Sequence, residues 1–343
     1  MPRAVRHITA IVLASTLAAC AAPPSLPHGV WAPAAAVARQ QAAGVWVHPV
    51  PPFKPGYGSV DWAQLFTDPR AWHGVAGKTA AFGLYAGWVT QLYQGNRPAF
   101  NAMTRFLHDR RIPVEIEAPS LQAATCGNGI EGFVPVGQSL SSFTRAYLHL
   151  LRSSGVTAAY IKVDEPYYFA SVSSEPGTCH WPPAKVAGLV ARFTRMVHAI
   201  DRSVQVGDVE PVIPGGYPVD VVTALLRWHA AYAAANGAPF PFYIADVDFA
   251  DPSWPSLVKR LERDVHGNGM PFGIIYIGDM TDRSDRAWSE KVVARFRAYQ
   301  VLAGGKPDFV LFQSWDPYPH YCLPESNPTT FMGVVQSYFS SGL

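Results

Sequence analysis

From Gly44 onward, short apolar runs rich in β-branched and aromatic residues recur along this chain. Each is followed by a polar or Pro/Gly-rich loop and then by a longer amphipathic stretch. The runs are 44–48 (GVWVH), 79–85 (TAAFGLY), 113–118 (PVEIEA), 158–164 (AAYIKVD), 204–210 (VQVGDVE), 241–248 (PFYIADVD), 273–279 (GIIYIGD) and 309–316 (FVLFQSWD). Their length and bounding loop residues predict strands. Helical spacing of apolar residues predicts helices over Ala99–Arg110, Ser141–Ser153, Val186–Ile200, Val219–Ala235, Trp254–Val265 and Trp288–Val301. Strands alternating with helices build parallel βαβ units, and eight such units predict a closed (β/α)8 barrel, one α/β domain over residues 43–343. An open doubly wound sheet that binds a nucleotide needs a Gly-rich turn after its first strand. His48-Pro49-Val50-Pro51-Pro52 is the opposite of one.

Catalytic groups of such barrels sit at the C-terminal ends of the strands. Here ten of the 25 acidic residues fall at the ends of six predicted strands: Glu115 and Glu117, Asp164 and Glu165, Asp208 and Glu210, Asp246 and Asp248, Asp279, and Asp316. Any one of them alone reads equally well as a helix N-cap, but carboxylates without a task belong on exposed helix faces. The two-residue period of a strand sorts some of them. On strand 4, Ile161 and Val163 suit the face under the helices, so Tyr160, Lys162 and Asp164 point into the barrel. Glu165 then faces outward unless a bulge or the loop turns it in. On strand 3, Val114 and Ile116 face out, and Glu115 and Glu117 face in. Asp208 shares a face with Glu210, Asp246 with Asp248, Gln313 with Trp315, and Trp46 with His48.

Composition narrows the chemistry. Of the 343 residues 49% are hydrophobic and 15% charged, with a formal charge of +2. That buries a large core and argues against nucleic acid as a partner. Arg3, Arg6 and the apolar run from Ile8 to Ala19, too short to span a bilayer, predict an export signal over residues 1–19. An Ala/Pro-rich tether is expected over 20–42. Cys126, Cys179 and Cys322 show no CxxC or Cys/His spacing, so no zinc or other metal site and no cofactor is expected. Cys126 and Cys179 follow neighbouring strands and are expected to form a disulfide, leaving Cys322 as the odd thiol.

Three segments carry resemblances. Leu17-Ala18-Ala19-Cys20 resembles the lipobox of bacterial lipoproteins, which implies lipidation of Cys20 and a membrane anchor in the cell envelope; Ala21 favours the outer membrane. Tyr160-Ile161-Lys162-Val163-Asp164 resembles the fourth-strand motif of α-galactosidase-like retaining glycosidases, in which the Asp is the nucleophile and an Asp after strand 6 the acid/base. Asp164-Glu165-Pro166 is similar to the Asn-Glu-Pro of the large β-glycosidase clan, in which the Glu donates the proton. That clan's nucleophile is a Glu on strand 7, where this chain has Asp279. The resemblances imply a monomeric carbohydrate-active enzyme. The expected catalytic pair is drawn from Asp164 and Glu165 with Asp248, or failing that Asp279, as partner. His48, Glu115, Glu117, Lys162, Asp208, Glu210, Asp246, Tyr276, Gln313, Trp315, Asp316 and Tyr318 are expected to bind substrate, with Trp315 and Tyr318 stacking on sugar faces. A metal-dependent amidohydrolase is disfavoured because strand 1 offers His48 without a His-x-His pair. A non-catalytic glycan-binding barrel would keep the same acids.

Overall fold

The computed structural model describes residues 42–343, apart from 54, 119–133, 135–137 and 175–177. Eight strands form a closed barrel in sequence order. They are β1 (Gly44–Pro49), β2 (Thr79–Tyr85), β3 (Val114–Ala118), β4 (Ala158–Asp164), β5 (Gln205–Val212), β6 (Tyr243–Val247), β7 (Phe272–Tyr276) and β8 (Phe309–Ser314). Every neighbouring pair is parallel, and β8 closes onto β1. The helices Arg97–Arg110, Leu140–Ser153, Pro183–Ile200, Val221–Asn236, Trp254–Gly267 and Asp285–Phe296 lie within a few residues of the six expected ones. Shorter helices follow β1 and β2 (Gln64–Thr67, His73–Ala76, Ala86–Gly95), and Phe331–Ser340 follows β8. β7 stops at Tyr276, earlier than expected. Beyond it the Asp279 amide turns onto the Asp282 carboxylate, which begins a loop.

The lower half of the barrel is plugged by rings. Trp46 of β1 lies 4.4 Å from Tyr160 and 4.5 Å from Phe309, centroid to centroid, and Phe242 meets all three edge-on. Rings on some strands require empty positions on others. A Cβ on Gly207 would lie 2.2 Å from the Phe242 ring, and one on Gly273 would lie 2.4 Å from the Phe309 ring. Gly83 does the same one level up, where a Cβ would stand 2.3 Å from the His48 imidazole. Overfilling a packed core costs about 1–3 kcal/mol. Gly207→Ala is therefore expected to lower unfolding free energy by about 2–3 kcal/mol, read as a reduced urea midpoint at unchanged slope. An unchanged midpoint contradicts this packing.

Outside the barrel, a second and larger apolar layer fills the space under the helices, with Val47, Phe82, Val114, Ile116, Ile161, Val163, Tyr243 and Phe312 contributed by the strands. The plug below leaves the upper barrel as the place where polar side chains gather.

Candidate active site

The register of the ladders decides which side chains meet. His48 pairs with Gln313, Gly83 with Glu115, Tyr85 with Glu117, Glu117 with Lys162, and Pro211 with Asp246. Parallel neighbours in register project to the same side. His48, Tyr85, Glu115, Glu117, Lys162, Asp164, Asp246 and Gln313 therefore share the upper interior.

Lys162 is the centre of this layer. Its ammonium lies 2.9 Å from Glu117 Oε2 and donates to Gln313 Oε1 at 3.1 Å. The Gln313 amide in turn donates to Glu117 Oε2 at 2.9 Å and to the Tyr85 hydroxyl at 3.3 Å. Burial alone would discharge this lysine, but Glu115, Glu117 and Asp164 outweigh burial and push its pKa up. Lys162 stays protonated and acts as the counter-ion of the layer. Below it His48 Nδ1 stands 3.2 Å from Glu115 Oε2. Both side chains are buried, and their polar atoms have no hydrogen-bond partner.

Glu165 follows β4, and strand parity alone would send it outward. The backbone turns it in. Glu165 has φ 49, a left-handed conformation that a side-chain-bearing residue adopts only at a cost of roughly 1–2 kcal/mol. Its amide still donates to Val209 O at 2.8 Å, so the turn begins directly at the edge of β5. The carboxyl is 7% exposed and hydrogen-bonds with Asp246. Burial, then the charges of Asp164, Asp246 and Glu210, push its pKa well above the usual carboxyl range. Burial and the neighbouring carboxylates thus favour the neutral form of Glu165.

Several expected site residues face elsewhere. On β5 the inward positions are Gly207, Val209 and Pro211, so Asp208 and Glu210 point under the helices. Asp208 is fully buried and accepts from Trp228 Nε1 at 2.9 Å, with His229 Nε2 at 3.2 Å, both on helix Val221–Asn236. Burial raises its pKa against the opposing effect of His229 and Trp228. Glu210 accepts from the amides of Tyr167 and Tyr168 at 2.6 and 3.0 Å. Tyr167 stacks on Trp228 at 5.4 Å and 11°. The outward acids of β5 thus fasten the segment that follows Glu165, and they hold its strained turn in place. Tyr276 also faces the helices, where its hydroxyl accepts from Gln300 and its ring packs against Phe296 and Phe312.

Asp279 is drawn to the helix side by Arg295 at 3.4 Å and Lys291 at 3.9 Å. Asp248 is half-buried at the rim, where Oδ1 accepts from the Ala250 amide at 3.1 Å. The structure therefore brings Asp246, expected only to bind substrate, to Glu165, in place of Asp248 or Asp279. Trp315 is half-buried beside the interior aromatic plug, Asp316 is buried, and Tyr318 packs against His320 at 4.4 Å. Cys322 is a free, buried thiol, and its amide and that of Leu323 bind the Asp61 carboxylate at 2.6 and 3.0 Å. The Cys126–Cys179 pairing falls on residue 126, outside the described residues, as does Cys20.

Sequence reasoning missed one wall of the site. Tyr85 lies 4.8 Å from His48 and 6.2 Å from Trp88, Trp88 lies 6.0 Å from Phe53, and Phe53 lies 5.7 Å from Tyr57. These half-buried rings lead from the interior to the rim along the segments after β1 and β2. Parity on strand 2, with Ala81, Gly83 and Tyr85 on one face, was the available signal for Tyr85. The carboxylates of the interior belong to β3, β4 and β6, and the rings to β2 and the segments after β1 and β2, with Tyr85 in register beside Glu117. Among the described residues no group of three or more His, Cys, Asp or Glu is arranged to hold a metal ion.

No protein-family model matches this chain, and no curated protein matches it. Among solved structures it is similar to a fungal β-1,4-galactanase, at 8% identity and a TM-score of 0.50, over 86% of this chain and 100% of that one. It is also similar to the β-1,4-D-mannanase of Cryptopygus antarcticus, at 12% identity and a TM-score of 0.50, over 86% of this chain and 91% of that one. At such identities the likeness establishes a shared barrel and nothing of the activity.

Proposed function

We propose that this barrel, which shares its fold with glycoside hydrolases, is itself an O-glycoside hydrolase acting on an oligo- or polysaccharide outside the cytoplasm. The observation that carries the reading is the buried Glu165 carboxyl, turned inward beside Asp164 and Asp246 at the C-terminal ends of β4 and β6, where burial and then those carboxylates raise its pKa. Glycosidic cleavage requires one such acid and one ionised carboxylate. Glu165 donates its proton to the leaving oxygen. Asp164, on the inward face with Lys162 as counter-ion, serves as nucleophile or base. Asp246 takes the place of the sequence-expected partner by holding the proton on Glu165 between turnovers. Tyr85 and Trp88 supply ring faces for pyranose C–H surfaces. Incubating the purified protein with a panel of polysaccharides, with products identified by mass spectrometry, tests the reading. Release of defined oligosaccharides is expected, and no product from any of them counts against it.

The N-terminal segment supports export as a lipoprotein, with Cys20 acylated and residues 21–42 as tether. A fatty-acid analogue fed to the producing cells is expected to label the wild type and leave Cys20→Ser unlabelled; equal labelling of both refutes the anchor. We further propose the Cys126–Cys179 disulfide between the loops after β3 and β4. Closing a loop this long contributes about 3–4 kcal/mol when unstrained. Non-reducing peptide mapping is expected to yield a Cys126–Cys179 peptide, and a Cys179–Cys322 peptide overturns it.

A further inference from the structure

We infer that Tyr85 and Glu117 together recognise one free hydroxyl group of the saccharide, the phenol donating to its oxygen and the carboxylate accepting its hydrogen, an inference that rests on the glycoside hydrolase reading above. The orientation of one amide decides the donors. Lys162 carries three N–H donors and no acceptor, so the atom of Gln313 that faces its ammonium at 3.1 Å is the amide oxygen. The amide nitrogen is thereby turned the other way. Its two hydrogens go to Glu117 Oε2 at 2.9 Å and to the Tyr85 oxygen at 3.3 Å. Gln313 and Lys162 are 3% and 1% exposed, so water does not compete for this orientation.

The consequence falls on Tyr85. Its oxygen accepts from Gln313, and among the described residues its own hydrogen meets no acceptor. The phenol keeps that hydrogen, because burial and then the charge of Glu117 push its pKa well above the usual phenol range. Glu117 is the complementary case. Both of its close contacts, to Lys162 and to the Gln313 amide, fall on Oε2. Oε1 takes neither, and the side chain keeps 11% of its surface exposed. Tyr85 and Glu117 are register partners near the C-terminal ends of β2 and β3. A spare donor and a spare acceptor therefore stand side by side. They lie one level beneath Asp164, which follows Lys162 by two residues on the same face of β4.

Few groups answer both. An ammonium or an amide N–H only donates, and an ether or carbonyl oxygen only accepts. A hydroxyl does both through one atom. Its bond to the carboxylate is charge-assisted, the stronger kind. The Tyr85 ring packs against His48 at 4.8 Å and Trp88 at 6.2 Å, which holds the phenol in place before a ligand arrives. Every pyranose carries several hydroxyls, and this pair selects the one that must be unsubstituted. A hydrogen in its place leaves both partners unanswered, and a methyl ether or acetyl ester leaves Glu117 without its donor.

Calorimetry with the β-1,4-linked hexasaccharides of glucose, mannose and galactose identifies the one that binds most tightly. Its 2-, 3- and 6-deoxy forms are then measured on wild type and on Tyr85→Phe, with turnover followed separately. Phe keeps the ring that faces Trp88 and removes only the hydroxyl. One deoxy form is expected to bind wild type at least about tenfold more weakly than the parent. That penalty should shrink by at least about threefold on Tyr85→Phe, because the two deletions remove the same bond and are not additive. The other two forms should lose equally on both proteins. Equal penalties on both proteins for all three forms, or no binding of any hexasaccharide, overturn the inference. Should Tyr85→Phe not fold, the wild-type series still decides, since penalties below about twofold for all three forms overturn it. Cleavage without the coupling leaves the hydrolase standing and removes the hydroxyl site. Coupling without cleavage of any saccharide in the wider panel keeps the hydroxyl site and removes the hydrolase.

Discussion

Glu165→Gln is expected to lower turnover of the identified substrate by at least about 10² while leaving the barrel folded, because it removes the proton that the leaving oxygen needs. Gln keeps the size of the side chain and still donates to Asp246, so the left-handed turn and its tie to Val209 O survive. Asp164→Asn is expected to cost as much through loss of the ionised partner. If both variants retain near-wild-type turnover, the acids of β4 are structural and the proposed chemistry is wrong. The pH dependence carries a second signature. Because burial and the neighbouring acids raise the Glu165 pKa, the alkaline limb of kcat/KM lies above the range of an ordinary glutamic acid, near 4.3. Stability runs the other way. A raised folded-state pKa contributes stability that is complete below the unfolded pKa and is lost as pH rises through the folded one. Glu165→Gln has no such dependence. Its stability relative to wild type is therefore expected to climb above about pH 4.3, at up to about 1.4 kcal/mol per pH unit, and to level off beyond the folded pKa. Urea titrations at several pH values read this directly, and a pH-independent difference contradicts a raised Glu165 pKa.

Lys162→Met is expected to be among the most destabilising single changes in this barrel. The ammonium is buried and is the charge that compensates Glu115, Glu117 and Asp164. Removing one partner of a buried ionic cluster costs about 3–5 kcal/mol, since the remaining charges stay out of water. For wild type the lysine pKa is raised, so its contribution is complete below the unfolded value near 10.4 and fades only as pH rises through the folded value. Over the physiological range the contribution is constant. In the variant the orphaned carboxylates are relieved by protonation, so its deficit should narrow as pH falls from 7 toward 4. Lys162→Arg does not rescue it, because a planar guanidinium fits neither the single Glu117 contact nor the bond to Gln313 Oε1. A loss below about 1 kcal/mol at pH 7 means that the cluster is already neutral.

The inward face of β3 and β4 is legible in the amino-acid order because its alternate positions are unambiguous. Val114, Ile116, Ile161 and Val163 can only face the helices, which leaves Glu115, Glu117, Lys162 and Asp164 inside. On β5 the same reasoning stalls. Val206, Asp208 and Glu210 alternate with Gly207, Val209 and Pro211, and here it is the apolar set that faces into the barrel, against the rule that holds on β3 and β4. The outward choice depends on Gly207 leaving room for Phe242, a ring from another strand. On β7 both faces are apolar, Ile274 with Tyr276 and Ile275 with Ile277, so parity is silent about Tyr276.

The linear order of apolar and polar residues by itself determined the eight strands, their parallel closure and the placement of acids at the C-terminal ends. All three follow from local periodicity and from the geometry of βαβ units. Tertiary structure alone decided which acids meet. Asp246 reaches Glu165 through the pairing of β4 with β5 and β5 with β6, contacts between residues far apart in the chain. Glu165 itself turns inward because its backbone enters the left-handed region, against parity, in a segment held by Glu210 and by Trp228 stacked on Tyr167. Local sequence fixes the face of a side chain only while the strand continues. Past its last residue, the partners supplied by the rest of the fold set the direction, and the proton follows the burial they create.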